Sequence, residues 1–255
     1  EHYFQLGGRS PINDQNRALL AAIREDLVGS GIDLPVYWGN RNWTPYLTDT
    51  VRQMAADGVR KAAAFVTSAY SGYSCSDQYV EDIARARAAT PGAPEIDKLP
   101  VYCLRPGFVE PFVASARAAL DELPAGTHLV FTAHSVPLAQ PGREAYVAEL
   151  RQVAALVRER VAPDSPWDLV FQSRSGPPSQ PWLEPDICDH LDAVKDAPGV
   201  VVVPIGFVSD HMEVKYDLDV VAAERAAELG LPYRRAATPG THPLFVALAR
   251  ELLTT

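Results

Sequence analysis

The sequence predicts an α/β protein in which helices flank parallel sheets, and three observations predict it. Short β-rich runs alternate with longer amphipathic runs along the 255 residues, the rhythm that places a helix between successive parallel strands. A hydrophobic share of 47% against 22% charged residues gives enough apolar surface for such a core. The rhythm restarts after a break near residues 122–127. The chain therefore reads as two similar halves, 1–124 and 125–240, with a closing helix over 241–255.

Each element has its own signal. Asn13 or Asp14 can cap a first helix whose apolar positions are Leu19, Leu20, Ile23 and Leu27. Residues 34–38 read as a strand. Helical spacing returns over 46–56 through Leu47, Val51 and Met54, and Gly58 ends it. Residues 62–67 read as a buried strand, followed by a loop dense in Ser, Gly and Tyr. A helix over 77–89 then puts Val80, Ile83 and Ala84 on one face. After the Thr90-Pro91-Gly92-Ala93-Pro94 loop, 99–104 reads as a strand, and 110–123 as a helix with Phe112, Val113, Ala116 and Leu120 inward. In the second half the strands are 128–133, 168–172, 199–205 and 232–234. The helices are 143–161, 186–196, 216–229 and 242–253.

Composition narrows the function. A net charge of −9 argues against nucleic acid or an anionic membrane held by bulk electrostatics. No apolar run is long enough to cross a bilayer, and no signal peptide opens the sequence. Cys75, Cys103 and Cys188 are an odd, widely spaced set, neither a disulfide framework nor a zinc site, which suits a cytoplasmic compartment. The start at Glu1-His2-Tyr3 and the end at Thr255 read as truncations. No apolar face is left over, so a monomer is expected.

Ligands of open parallel sheets sit beyond the carboxyl ends of the strands, which singles out several segments. His134 directly follows the strand His128-Leu129-Val130-Phe131-Thr132-Ala133. An imidazole there can take a proton or bind a metal, although a structural histidine fits the same position. After the apolar strand 200–205 come Asp210, His211, Glu213, Lys215, Asp217 and Asp219. On a helix Glu213 and Asp217 point the same way, a like-charge pair that a cation or proton relieves; a solvated helix start is the alternative. The stretch 68–79 can hold carboxylates of a ligand while its tyrosines cover an aromatic plane, or it is an ordinary loop. Arg41 stands between Trp38 and Trp43, and a Pro-rich exit runs through Gln172-Ser173-Arg174-Ser175-Gly176-Pro177-Pro178 to Pro181-Trp182-Leu183. No GxGxxG, Walker A, GxSxG or HExxH pattern occurs.

Thr132-Ala133-His134-Ser135-Val136-Pro137 and the run from Pro204 through Gly206, Asp210, His211 and Glu213 to Asp219 resemble the two signature blocks of ferrochelatases. Gly7-Gly8-Arg9-Ser10-Pro11, Tyr37-Trp38-Gly39, Val170-Phe171-Gln172-Ser173 and Pro181-Trp182-Leu183-Glu184-Pro185 support it. The segments around Trp38-Gly39-Asn40-Arg41 and Ser68-Ala69-Tyr70 resemble the actinobacterial branch, which metallates coproporphyrin III to coproheme.

The resemblance implies two Rossmann-like domains around a porphyrin cleft, with the last helix packed back on the first domain. It implies a lyase-class metal chelatase of heme biosynthesis with porphyrin and ferrous iron as substrates, and His134 and Glu213 as the catalytic and iron-binding pair. Asp217 would continue an acidic line along a π-type helix as a relay for metal or protons. Ser10 and Tyr79 would contact the propionates. Cys75 matches the internal ligand of a [2Fe–2S] cluster found in some relatives, whose other three ligands lie in a C-terminal tail beyond the point where this sequence stops. Four thiolates are the usual requirement, so these residues alone do not support a cluster. The resemblance also implies a first strand and a cleft lip before the region of His2-Tyr3, which are expected to fall outside the sequence as given. Alternatives are a protoporphyrin IX ferrochelatase, a cobalt or nickel chelatase, whose sites rely on more histidines, and a non-catalytic porphyrin carrier, against which the presence of both His134 and Glu213 argues.

Overall fold

A computed structural model describes residues 10–177 and 179–254. His2, Tyr3, Gly7, Gly8, Arg9 and Pro178, used above, lie outside the described residues.

Among the described residues, six strands, all paired in parallel, form two sheets. β1 (Lys61–Ala64) pairs with β2 (Glu95–Lys98). The larger sheet runs in the order β4-β3-β5-β6, with β3 (His128–His134), β4 (Trp167–Gln172), β5 (Val200–Val203) and β6 (Tyr233–Arg235). Before β1 come α1 (Ile12–Gly29) and α2 (Leu47–Ala56), and α3 (Gln78–Ala88) links β1 to β2. Next is α4 (Pro106–Leu120), and α5 (Arg143–Val161) links β3 to β4. α6 (Ile187–Ala193) links β4 to β5. α7 links β5 to β6; it starts as Met212–Val214, widens into a π-helix over Lys215–Ala222 and ends as Ala223–Glu228. α8 (Pro243–Thr254) is last.

The period-two alternation of β3 sorts its side chains into two cores. Leu129, Phe131 and Ala133 face a core shared with α1, α4, α5 and α8, while Val130 faces one built by Ile187, Leu191, Val214, Leu218 and Ala226. Helices therefore cover both faces of the sheet. Because β3 leads outward to β4 and the chain then crosses to β5, the loops after β3 and β5 diverge to opposite faces. Such a divergence at the carboxyl ends is where sheets of this kind form their ligand crevice.

α8 packs on α4 and α1. Gly107 permits the close approach: a Cβ there would sit 2.7 Å from the Leu244 carbonyl oxygen and 2.8 Å from Leu248 Cβ. Arg250 adds an ion pair to Asp26 at 2.7 Å.

Several local expectations need correction. α1 begins at Ile12, so Asn13 and Asp14 lie inside its first turn and neither caps it. Residues 34–38 pair with no strand among the described residues. Their carbonyls are taken by side chains, that of Val36 by Arg24 and that of Trp38 by Thr50. β1 is shorter than expected and half-exposed. The strand expected over 99–104 lies instead at Glu95–Lys98; the Leu99 N–H makes the last ladder bond, to Ala64, and Pro100 has no N–H to continue it. α4 starts four residues earlier than the spacing predicts, with Pro106 in its first turn. In α3 the buried line is Ile83 and Ala86, so Val80 and Ala84 face outward.

Candidate active site

Three strand ends supply the crevice. His134 closes β3, and its backbone carbonyl accepts from the Tyr146 hydroxyl at 3.1 Å. Its Nδ1 lies 2.5 Å from the Ser135 carbonyl oxygen. A carbonyl can only accept, so Nδ1 carries the hydrogen and the neutral ring keeps its lone pair on Nε2. That Nε2 is 3.9 Å from Glu213 Oε2. His134 is partly and Glu213 largely open to solvent, so both can meet an incoming ligand.

Glu213 stands at the start of α7, which His211 caps by accepting from the Glu213 N–H at 3.2 Å. His211 Nδ1 is also 3.9 Å from Glu213 Oε2, and its ring meets Phe207 edge-on at 5.1 Å. Burial pushes the His211 pKa down; His134 adds to this while Glu213 opposes it, which favours a neutral ring.

Asp217 lies one turn further along, where the helix has widened. It accepts from the Ser173 hydroxyl and, at 3.4 Å, from Gln172 Nε2. Gln172 Nε2 also reaches the Glu213 carbonyl at 3.2 Å. Burial raises the Asp217 pKa above the ordinary carboxylate value; the nearby Glu213 adds to the rise and the Ser173 hydrogen bond works against it. Ser173 bends away from β4 at φ 59°, left-handed backbone that is unfavourable by roughly 1–2 kcal/mol for a non-glycine residue. The bend puts its hydroxyl on Asp217.

The loop from β5 to α7 is fixed by contacts distant in sequence. Gln15 of α1 clamps Asp210 from both sides, donating to its carbonyl at 2.7 Å and accepting its N–H at 2.8 Å. Arg235 of β6 grips the Asp210 carboxylate with two nitrogens at 3.0 and 3.1 Å and also pairs with Asp219. Burial opposes its charge, yet the two carboxylates hold its pKa above the ordinary value. Gly206 lies against β3: a Cβ there would be 2.6 Å from both Ala133 Cα and Ala133 Cβ. Behind them the Tyr70 hydroxyl holds the Ile205 carbonyl at 2.8 Å.

Sequence reasoning thus named residues that the fold brings together, His134, Glu213, Asp217 and the Gln172-Ser173 exit. It also named Pro137 and Trp182, which form a β-bridge on one wall. It missed Gln15 and Arg235. The one available signal for Arg235 was a charged residue in a strand next to an acid-rich loop. Ser10 and Tyr79 make their contacts elsewhere. Ser10 Oγ accepts from Ile12 N at 3.4 Å, and the Arg41 guanidinium covers the Tyr79 ring at 4.6 Å while pairing with Asp82. Arg41 is therefore not held between Trp38 and Trp43, because Trp43 projects into solvent.

Cys75 lies in a π-helical turn, Tyr73–Asp77, where burial raises its thiol pKa against hydrogen bonds from Ser68 and Ser74. Cys103 is buried in the core below, and Cys188 on α6 packs against the other core. All three thiols are free.

The model of the ferrochelatase family matches residues 1–255. The coproporphyrin III ferrochelatase of Frankia alni is 57% identical over 271 residues, covering 99% of this chain and 69% of its own. That of Streptomyces coelicolor is 54% identical over 277 residues, covering 99% and 74%. Among solved structures, the cobalt-bound sirohydrochlorin chelatase of Bacillus subtilis subspecies spizizenii superposes with a TM-score of 0.62 at 13% identity, over 93% of this chain and 87% of that one.

Proposed function

The chain belongs to the ferrochelatase family, and on that premise we propose that it inserts ferrous iron into coproporphyrin III, forming coproheme as a lyase-class chelatase of heme biosynthesis. The observation that carries the reading is the lone pair of His134 Nε2 facing the Glu213 carboxylate at 3.9 Å across a sheet crevice. The choice of coproporphyrin III over protoporphyrin IX rests on the names of the relatives more than 50% identical to this chain.

Iron enters the ring only as two pyrrole N–H protons leave, so a base over the ring centre is required. His134 takes that role with Nε2. Glu213 offers a carboxylate oxygen beside it, and the imidazole and carboxylate together suit a ferrous ion held loosely enough to be handed on. The raised pKa of Asp217 makes it the next acceptor along the widened helix, with Ser173 and Gln172 both donating to its Oδ2 and leaving Oδ1 to take the proton. Ser10 and Tyr79 are assigned to the propionates, with Arg41 beside Tyr79 adding a positive charge near those anions. The two-domain division at 1–124 and 125–240, with 241–255 as the closing helix, belongs to the same reading. So do a monomeric state and a cytoplasmic location, which three free thiols suit.

Anaerobic metallation followed by absorbance tests this directly. With ferrous iron, coproporphyrin III turns over faster than protoporphyrin IX, and His134→Ala loses turnover while still binding porphyrin. A His134→Ala protein as fast as the parent overturns the base assignment. A parent that binds porphyrin and never metallates it is a carrier.

A further inference from the structure

At the opposite end of β3 from the crevice, three ligating side chains converge. His128 opens β3, Asp168 is the second residue of β4, and His190 lies on α6, which packs over the same face. Strand alternation sets this up. His128 and Val130 share a face, Val130 is in register with Asp168, and that face is the one α6 covers.

His128 Nε2 is 2.8 Å from Asp168 Oδ2, and His190 Nε2 is 3.5 Å from the same oxygen. The two rings meet edge-on at 5.7 Å. Among the described residues this is the one group of three His, Cys, Asp or Glu whose ligand atoms all fall within 4.8 Å of one another. His190 supplies the second, independent observation. About nine-tenths of the residue is buried, and its Nε2 makes no hydrogen bond although it lies 3.5 Å from Asp168 Oδ2. An unpartnered ring nitrogen in that setting is costly unless something else uses it.

We propose that His128, Asp168 and His190 form a second metal site, binding a divalent transition ion of the zinc and ferrous class separately from the crevice. Two imidazoles and a carboxylate suit such ions and not calcium or magnesium. Bonds of about 2.0–2.1 Å in a tetrahedron separate ligand atoms by about 3.3 Å, so the His–Asp pairs at 2.8 and 3.5 Å need shifts of about 0.5 Å or less, and the two histidines, whose ligand atoms lie within 4.8 Å, close on the ion by rotating about their side-chain torsions. An ion that takes His128 Nε2 displaces the hydrogen this nitrogen donates to Asp168, which moves to Nδ1. Asp168 is half-exposed, which leaves an entry path and open coordination positions. Six residues of strand place this site roughly 20 Å from His134. Its ion therefore ties β3, β4 and α6 together and takes no part in metallation.

Cobalt(II) is the probe, counted by equilibrium dialysis and read by its visible absorption. The His134→Ala protein, with the crevice ligand removed, binds at least one equivalent with the intense bands of low coordination. Adding His190→Gln removes one equivalent and those bands. Asp168→Asn, which keeps an acceptor for His128, weakens binding more than about 100-fold, beyond what an outer-shell partner commands. Zinc raises the melting temperature of His134→Ala and not of its His190→Gln derivative. An unchanged cobalt count in both His190→Gln and Asp168→Asn overturns the site and leaves a structural ion pair.

Discussion

Gly206→Ala probes how closely the crevice is set. The added Cβ would lie 2.6 Å from both Ala133 Cα and Ala133 Cβ, about 0.8 Å short of ordinary contact. Both atoms belong to the backbone or are fixed to it, so no rotamer change relieves the clash; the end of β3 and the loop after β5 must move apart. Overpacking of this kind costs about 1–3 kcal/mol, and each kcal/mol lowers the melting temperature by about 2–4 °C in a chain of this size. His134 is the next residue after Ala133, and Glu213 hangs from the displaced loop, so the 3.9 Å gap between them takes up the shift. A misplacement near 1 Å costs about 100-fold in rate. The expected result is porphyrin affinity within a few-fold of the parent, by fluorescence titration, with turnover about 100-fold lower in anaerobic metallation at saturating iron. A Gly206→Ala protein that metallates within two-fold of the parent would refute the link between strand spacing and catalysis.

Two further outcomes follow from the same geometry. Arg235→Met leaves the carboxylates of Asp210 and Asp219 without their shared partner. Breaking a buried pair costs about 3–5 kcal/mol, and the partial exposure of both acids puts the loss at the low end; a urea midpoint equal to the parent's contradicts the assigned role. Asp217→Asn tests the acid buried beside Glu213. Its folded pKa is raised, so its share of stability is present below the ordinary value of 3.8 and is lost as pH rises through the folded value. Asp217→Asn therefore melts above the parent at pH 7, with the gain vanishing near pH 3, and a gain of the same size at both pH values counts against it.

Where an element's own pattern decides its state, the sequence was sufficient. α5 falls on 143–161 as its apolar spacing predicts, because one face of a long helix covers one face of the sheet. β3 is buried along almost its whole length and reads as an apolar run. The edges were not legible. Residues 34–38 look like a strand, yet strands need partners, and side chains from α1 and α2 take their carbonyls. Val80 has the spacing of a core residue and faces outward because α3 packs along Ile83 and Ala86.

The site divides in the same way. Sequence alone determined the α/β class and the family resemblance, and it singled out His134, Glu213 and Asp217 as candidates at two strand ends, since chemistry of that kind is concentrated in short contiguous runs. Only the tertiary structure decided that Nε2 of His134 is the free nitrogen and that it faces Glu213. The structure alone also revealed that Gln15 and Arg235 hold the loop between them and that His128, Asp168 and His190 converge at the far edge. Residues up to 195 positions apart meet in these clusters, and contact over such separations is set by strand order and register, which no local pattern encodes.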